Sequence, residues 1–341
     1  MIDSIVIQEN KSLREYNTFG VPAAARYFVE INNKEDLPAL FARSDLQKLP
    51  LLVLGGGSNF LFTRDFEGTV LKMSIKGISA SQTGTSVFVE AGAGVRWHDL
   101  VLYCVDHAYA GIENLSLIPG LAGAAPIQNI GAYGVELKDV FESLEAFDTQ
   151  NRDFRRFTKK ECAFEYRESI FKTKYRGRFI VTSIRLKLSK TFEPNTSYGA
   201  IEAELKNRNI LNPTLKDISD VVSDIRVSKL PDPETIGNAG SFFKNPVISR
   251  DDFERLRKKF PGVVNYSMSG DRVKVAAGWL IEQCGWKGKK TGHTGTWKHQ
   301  SLVLVNHGGA TGREIFELSE KIIDTVHDKF GLILEREVNI V

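Results

Sequence analysis

The sequence is poor in the residues that build metal and disulfide frameworks. Its 341 residues include three cysteines, Cys104, Cys162 and Cys284, widely separated and without a CxxC pair. An odd, scattered set makes neither a disulfide scaffold nor a zinc ligand set, so each is expected to be a small buried hydrophobe. The six histidines show no HxxxH or HExxH spacing, and no metal site is expected. Long apolar runs are also missing. The stretch 49–54 is among the longest and is far too short to cross a bilayer, so no membrane insertion is expected. With a formal net charge of +3 and no dense Lys/Arg block, nucleic acid is a poor partner. The start, MIDSIVIQEN, lacks the basic residues, apolar stretch and cleavage site of a secretory signal, which predicts a cytoplasmic location.

What is present is an ordinary globular composition, with 42% hydrophobic and 26% charged residues, and length for two or three compact units. A helical pattern runs over 33–48. LPLLVL (49–54) reads as a buried strand entering the tight loop Gly55-Gly56-Gly57-Ser58-Asn59. Alternation predicts strands at 86–90 and 179–188. Between them Trp97, Leu100, Val101, Cys104, Val105 and Ala108 recur at helical spacing, and the helix is expected to stop at Gly111. Residues 111–135 are rich in glycine and alanine and keep no period. Such a stretch suits the approach of backbone N–H groups to a large planar ligand. After a linker at 189–200, helical patterns at 215–228, 252–260, 272–284 and 312–329 alternate with apolar strands at 301–305 and 331–334, a second α/β unit.

The loop GGGSN invites a nucleotide reading, but the usual motifs fail. A dinucleotide fingerprint needs a third glycine where Phe60 stands, and FLFTRDFEG after it reads as strand rather than helix. In GWKGKKTG (285–292), Lys290 occupies the Ser/Thr position of a P-loop. What remains is a strand–loop–strand offering an anion-binding nest, or else a plain hairpin loop.

Several motifs in order narrow the choice. NTFG (17–20), GGGSN (55–59), IPGLAGAAPIQNIGAYG (118–134), FEYRESIF (164–171), KLPDP (229–233), NAGSFFKNP (238–246), AAGWLIEQCG (276–285) and LEREV (334–338) follow one another. This set resembles the UDP-N-acetylenolpyruvoylglucosamine reductases from about residue 12 to the C-terminus. The resemblance implies an α+β fold, with a vanillyl-alcohol-oxidase/PCMH-type FAD-binding domain of two α/β subdomains over 1–190 (about 1–72 and 73–190). A smaller α/β substrate-binding domain would follow over 191–341, its last strand returning to the active site. Noncovalent FAD, NADPH as cosubstrate, a UDP-sugar substrate and a monomer are likewise implied. Gly55, Gly56, Gly57, Ser58 and Asn59 would cradle the FAD pyrophosphate. Pro119, Gly120, Gly123, Ile127 and Gly131 would line the flavin. Tyr198 resembles the substrate-clamping tyrosine of one subtype, with Tyr133, Lys229, Asn245, Tyr266 and Gln300 also on the substrate. Ala124-Ala125 departs from relatives that carry hydroxyls there.

The reaction of that family reduces an enolpyruvyl ether. Hydride passes from flavin N5 to the vinyl β-carbon, and the adjacent carbon, conjugated to a carboxylate, must be stabilised and protonated. A cation and a positioned proton donor are therefore required. Arg167 suits the carboxylate, although a structural ion pair with Glu165 or Glu168 is the plainer role. Ser241 is the proton donor by resemblance; by itself it could simply serve the turn after Gly240. Glu335 and Glu337 lie two apart on an expected strand, so periodicity cannot separate them, and the family pattern selects Glu337. No separate nicotinamide motif appears, in keeping with NADPH and the UDP-sugar using one cleft in turn. An oxidase of the same flavin group and a non-catalytic nucleotide-sugar sensor are the alternatives. The absence of His in GGGSN opposes the first, and the set Arg167, Ser241, Glu337 opposes the second.

Overall fold

A computed structural model describes residues 5–43, 49–268 and 270–341. Packing divides the chain into two compact units. The first comprises 1–11, 25–56 and 67–226, and the second 12–24, 57–66 and 227–341. The division expected at 190/191 would send the helices Gly199–Asn207 and Leu215–Lys229 to the C-terminal part. By packing they group with the first unit as far as Arg226. The reason is local: Ile201, Leu205, Ile218, Val221, Val222 and Ile225 form one apolar cluster that takes in Tyr133, and Ser219 Oγ meets Ser116 Oγ at 2.8 Å.

The first unit holds two larger sheets and the short pair Gly131–Ala132 with Val135–Glu136. One has the order Ile7–Ser12, Ala24–Ile31, Phe66–Met73, Leu51–Leu54. Its last pair runs parallel, with Leu51 opposite Thr69. The other is antiparallel, in the order Asp153–Thr158, Phe141–Asp148, Phe179–Ser189, Ser86–Gly92, Ile78–Thr83. Period-two alternation sends Val87, Val89 and Ala91 inward with Ile184, Leu186 and Leu188. The helix Trp97–Asp106 lays Trp97, Leu100, Val101 and Cys104 on that core.

Some sequence expectations need correction. The helix from Trp97 ends at Asp106, and the left-handed residue after it is Ala108, with φ 55°, rather than Gly111. Of the helix expected at 33–48, the part that forms among the described residues is Asp36–Ala42, where Pro38 sits in the first turn and removes no needed donor. Residues 44–48 lie outside the described residues. Cys104 and Cys162 are buried, and burial pushes both thiols up to about 12. Cys284 is only half-buried.

The second unit has a four-stranded sheet, Gly237–Ser241, Val303–Asn306, Thr294–Thr296, Lys290–Thr291. A three-stranded sheet, Val247–Ser249, Arg272–Val275, Asn265–Ser267, accompanies it. The helix Gly312–Phe330 buries Ile315, Leu318, Ile322, Val326 and Phe330 on one stripe. Thr311 and Glu314 cap its start reciprocally, and Gly331 ends it in the left-handed conformation. The pattern at 272–284 resolves into a strand followed by the helix Ala277–Gln283. No strand forms at 331–334. Pairing resumes with the antiparallel bridge of Arg336 to Phe243, then with Asn339–Ile340, parallel to Phe60–Leu61.

In the first unit Asp148 is buried and accepts from Arg178 Nε at 3.0 Å and Nη2 at 2.6 Å. The Arg178 hydrogen bonds hold its carboxyl below the usual carboxylate range, helped by the Gln150 and Asn151 N–H groups. That stabilisation is present above the ordinary Asp range and is lost as pH falls through the lowered folded value. Asp148→Asn should therefore lower the melting temperature by a few degrees at pH 7, and the two proteins should converge at acid pH, as thermal melts at both pH values would show.

Candidate active site

In the first unit the segment 111–135 is built from short 3-10 turns, Glu113–Leu115 and Ala122–Ile127, rather than long elements. Small residues there permit close backbone approach. A Cβ on Gly56 would lie 3.1 Å from Gly120 Cα, and one on Gly123 would lie 2.5 Å from Ala93 Cβ. Gly55 faces Leu121 and Ala124 at ordinary contact distance. Pro119 is exposed at the edge of this stretch and Ile127 is half-buried. A cradle of backbone with few side chains fits a cofactor gripped by amide N–H groups and lined by a flat wall.

Arg167 stands beside the same stretch. Residues 165 and 168 exchange both backbone hydrogen bonds, so Tyr166 and Arg167 form a two-residue tip, with Arg167 at φ 56°. Its Nη2 donates to the Gly131 carbonyl at 2.7 Å. A Cβ on Gly131 would sit 3.3 Å from Arg167 Nη1. Tyr133 and Tyr198 meet edge to face at 5.2 Å, and Asn114 Nδ2 holds the Tyr133 carbonyl at 3.0 Å. Burial raises the Tyr133 phenol, while the charge of Arg226 opposes the shift. The structure thus brings Gly131, Tyr133, Arg167 and Tyr198 together.

Arg226 was not singled out from the sequence. Its Nε donates to the Leu117 carbonyl at 3.2 Å, and its charge acts on Tyr133 and Arg167. The signal was available, because Arg226 lies one helical turn before Lys229 on the pattern that ends in KLPDP.

In the second unit the rest of the GGGSN loop, Gly57, Ser58 and Asn59, packs on the NTFG segment. Gly57 has φ 66°, and a Cβ there would fall 1.9 Å from the Tyr16 carbonyl. Thr18 N–H donates to Gly57 O at 3.2 Å. Asn17 folds this segment with its own side chain, donating to Leu13 O and Val21 O and accepting from Val21 N–H. Asn59 Nδ2 reaches the Glu337 carbonyl at 3.2 Å, and Asn59 O accepts from Asn339 N–H at 3.0 Å.

Ser241 ends the strand Gly237–Ser241, which slips register against Val303–Asn306 between Asn238 and Ser241. Gly240, at φ 67°, supplies the bulge, and Asn238 Oδ1 accepts its N–H at 2.9 Å. Such a bulge re-aims the next side chain, here the Ser241 hydroxyl. Glu337 N–H donates to the carbonyl of the adjacent Phe242 at 2.8 Å, so Ser241 and Glu337 come from neighbouring backbone. Glu335 is exposed and ion-paired with Lys244, whereas Glu337 is half-buried. Asn245 Oδ1 accepts from Ala277 N–H at 2.9 Å and so starts the helix Ala277–Gln283. Gln300 Oε1 accepts from Leu302 N–H at 3.3 Å. Tyr266 is 40% exposed with Lys274 Nζ 5.5 Å from its ring centroid, and Lys229 is exposed at its helix end. These polar ends give the unit groups suited to an anionic, hydroxyl-rich ligand. Among the described residues no cluster of His, Cys, Asp or Glu could hold a metal, and no helix is long and apolar enough to cross a membrane.

This combination defines a flavin-dependent oxidoreductase. Residues 25–152 match the FAD binding domain family, and residues 232–341 match the family described as UDP-N-acetylenolpyruvoylglucosamine reductase, C-terminal domain. The UDP-N-acetylenolpyruvoylglucosamine reductase of Flavobacterium johnsoniae is 48% identical, over 98% of this chain and 99% of its own. The chain belongs to the UDP-N-acetylenolpyruvoylglucosamine reductase family. The crystal structure of such a reductase from Thermus caldophilus shares the fold, with a TM-score of 0.67 and 24% identity over 98% of both chains. The 6-hydroxy-D-nicotine oxidase of Arthrobacter nicotinovorans matches at TM-score 0.52 and 13% identity, over 91% of this chain and 81% of that one. The second likeness places the fold among the PCMH-type flavoproteins.

Gly57→Ala combines a left-handed φ with a collision against backbone, whereas Gly20→Ala, at φ 64° with open space around it, meets strain alone. Gly20→Ala should cost about 1–2 kcal/mol of stability and keep its flavin. Gly57→Ala should cost more and purify with most of its flavin lost, which the ratio of visible to ultraviolet absorbance would measure.

Proposed function

We propose that this enzyme reduces the enolpyruvyl group of UDP-N-acetylglucosamine enolpyruvate to UDP-N-acetylmuramate, with NADPH as cosubstrate and noncovalent FAD. The observation that carries this reading is the pairing of Ser241, re-aimed by a bulge, with the Glu337 segment held by Asn59. The full-length similarity to reductases of that name supports it. Bound FAD supplies the hydride that reaches the vinyl β-carbon.

The chain's own residues do the rest. Arg167 grips the substrate carboxylate and offsets the charge that develops as the adjacent carbon takes on electrons. Ser241 gives that carbon its proton; a hydroxyl can do so because a carbanion beside a carboxylate is a strong base. Glu337 positions the carboxyl end or the serine. Lys229, Asn245, Tyr266 and Gln300 bind the UDP-sugar, and Tyr133 and Tyr198 clamp it. Gly55 to Asn59 take the FAD pyrophosphate, and Pro119, Gly120, Gly123, Ile127 and Gly131 the flavin. In this reading residues 1–190 form the flavin-binding domain, which also lends Tyr133 and Arg167 to the substrate, and residues 191–341 form the substrate-binding domain, in a cytoplasmic monomer.

Stopped-flow absorbance separates the roles. Ser241→Ala should leave flavin reduction by NADPH nearly intact and slow reoxidation by the enolpyruvyl substrate about 10⁴-fold or more. Glu337→Gln should also slow reoxidation by orders of magnitude, and Glu335→Gln should do little. Equal slowing of both half-reactions in Ser241→Ala, or a larger loss at Glu335 than at Glu337, would overturn these assignments.

A further inference from the structure

Three consecutive residues at the start of the helix Trp97–Asp106 pin the segment 115–121 at four points. Arg96 bridges to Leu121 in antiparallel fashion. Trp97 N–H donates to Gly120 O at 3.0 Å, and its indole N–H donates to Leu115 O at 2.9 Å. The fourth contact reverses direction: Leu117 N–H donates to His98 Nδ1 at 3.0 Å. It alone depends on a protonation state, since Nδ1 accepts only in the neutral ring with the hydrogen on Nε2.

Leu117 has φ 57°, a left-handed backbone that a leucine rarely adopts without being held. Its carbonyl accepts from Arg226 Nε, and the charge of Arg226 acts on Tyr133 and Arg167. We propose that His98 is a positioning residue: its neutral imidazole holds Leu117 in its left-handed conformation, so that the Leu117 carbonyl keeps its hold on the Arg226 guanidinium. Nothing in the proposed chemistry touches His98 itself. It acts through one residue, Leu117, on a cation whose charge acts on the candidate catalytic arginine, and through the same residue on the segment assigned to the flavin. The consequence for flavin rests on the functional reading above; the hydrogen bond does not.

The groups facing His98 favour the neutral ring. Burial lowers its pKa below the ordinary 6.5, Asp99 opposes, and Arg96 and Arg226 add to the lowering. A group with a lowered folded pKa that must stay neutral contributes at and above pH 6.5. The contribution is lost as pH falls through the lowered value.

Amide exchange at Leu117 in the full-length protein tests this, read by NMR between pH 5 and 7.5 alongside the His98 ring nitrogens. In the wild type, Nδ1 should show the shift of an unprotonated acceptor at pH 7.5. Protection of Leu117, corrected for intrinsic exchange, should fall about tenfold as His98 protonates. His98→Asn places a non-titrating acceptor at the Nδ1 position, so it should keep Leu117 protected across the range. His98→Ala should lack that protection at every pH. Flavin affinity should follow the same order and lose its acid dependence in His98→Asn. A wild-type Nδ1 that carries the proton at pH 7.5, or Leu117 protection unchanged through the His98 titration, would overturn the proposal without any variant. Protein devoid of flavin would instead count against the functional reading, while the exchange pattern would still decide the role of His98.

Discussion

The Thr18–Phe19 peptide in the second unit is the contact on which the candidate chemistry there depends. It lies between two glycines that tolerate no side chain: a Cβ on Gly57 would strike the Tyr16 carbonyl, and one on Gly237 would lie 2.2 Å from the Phe19 carbonyl. Asn238 N–H donates to Thr18 O at 3.0 Å, and Asn306 Nδ2 donates to Phe19 O at 2.8 Å. One short segment therefore fixes the GGGSN loop from Gly57 on one side and the strand that carries Ser241 on the other. Asn59 extends the arrangement to the Glu337 segment. Each link is a backbone group meeting backbone or an amide side chain, which holds geometry with little rotamer freedom.

The first unit uses charge where the second uses backbone. Arg167 sits on a left-handed two-residue tip with one nitrogen on the Gly131 carbonyl, and Arg226 acts on it electrostatically. The two like charges oppose each other, which lowers the Arg226 guanidinium along with its burial. The edge-to-face pair Tyr133 and Tyr198 adds flat apolar surface with polar tips, a common composition for binding a sugar or a base.

Much of this was legible in the sequence because it rests on residue types with a single structural use. Glycines in GGGSN and the loss of period at 111–135 mark a tight loop and a stretch of short turns, and both lie where the alternation and helical spacing put them. The expected strand at 331–334 failed because an apolar run carries no information about partners, and residues 331–334 join no sheet. Gly111 was a poor helix stop because Ala108 turned left-handed first, with its N–H on the Val105 carbonyl and the Tyr109 N–H on the Cys104 carbonyl, a local closure that an alanine was not expected to make. Glu335 and Glu337 could not be told apart by period. Their surroundings separate them, since one is ion-paired at the surface and the other is half-buried beside Phe242. Arg226 and His98 escaped notice because their partners, the Leu117 carbonyl and N–H, are far away in the chain and belong to a residue with no chemistry of its own.

The account as a whole stands or falls on where electrons go after they reach the flavin. Purified enzyme, freed of oxygen, should show a visible flavin band that one equivalent of NADPH bleaches. One equivalent of UDP-N-acetylglucosamine enolpyruvate should then restore the band, with UDP-N-acetylmuramate formed in equal amount. A band that NADPH cannot bleach, or that returns only when oxygen is admitted and peroxide accumulates, would contradict the account.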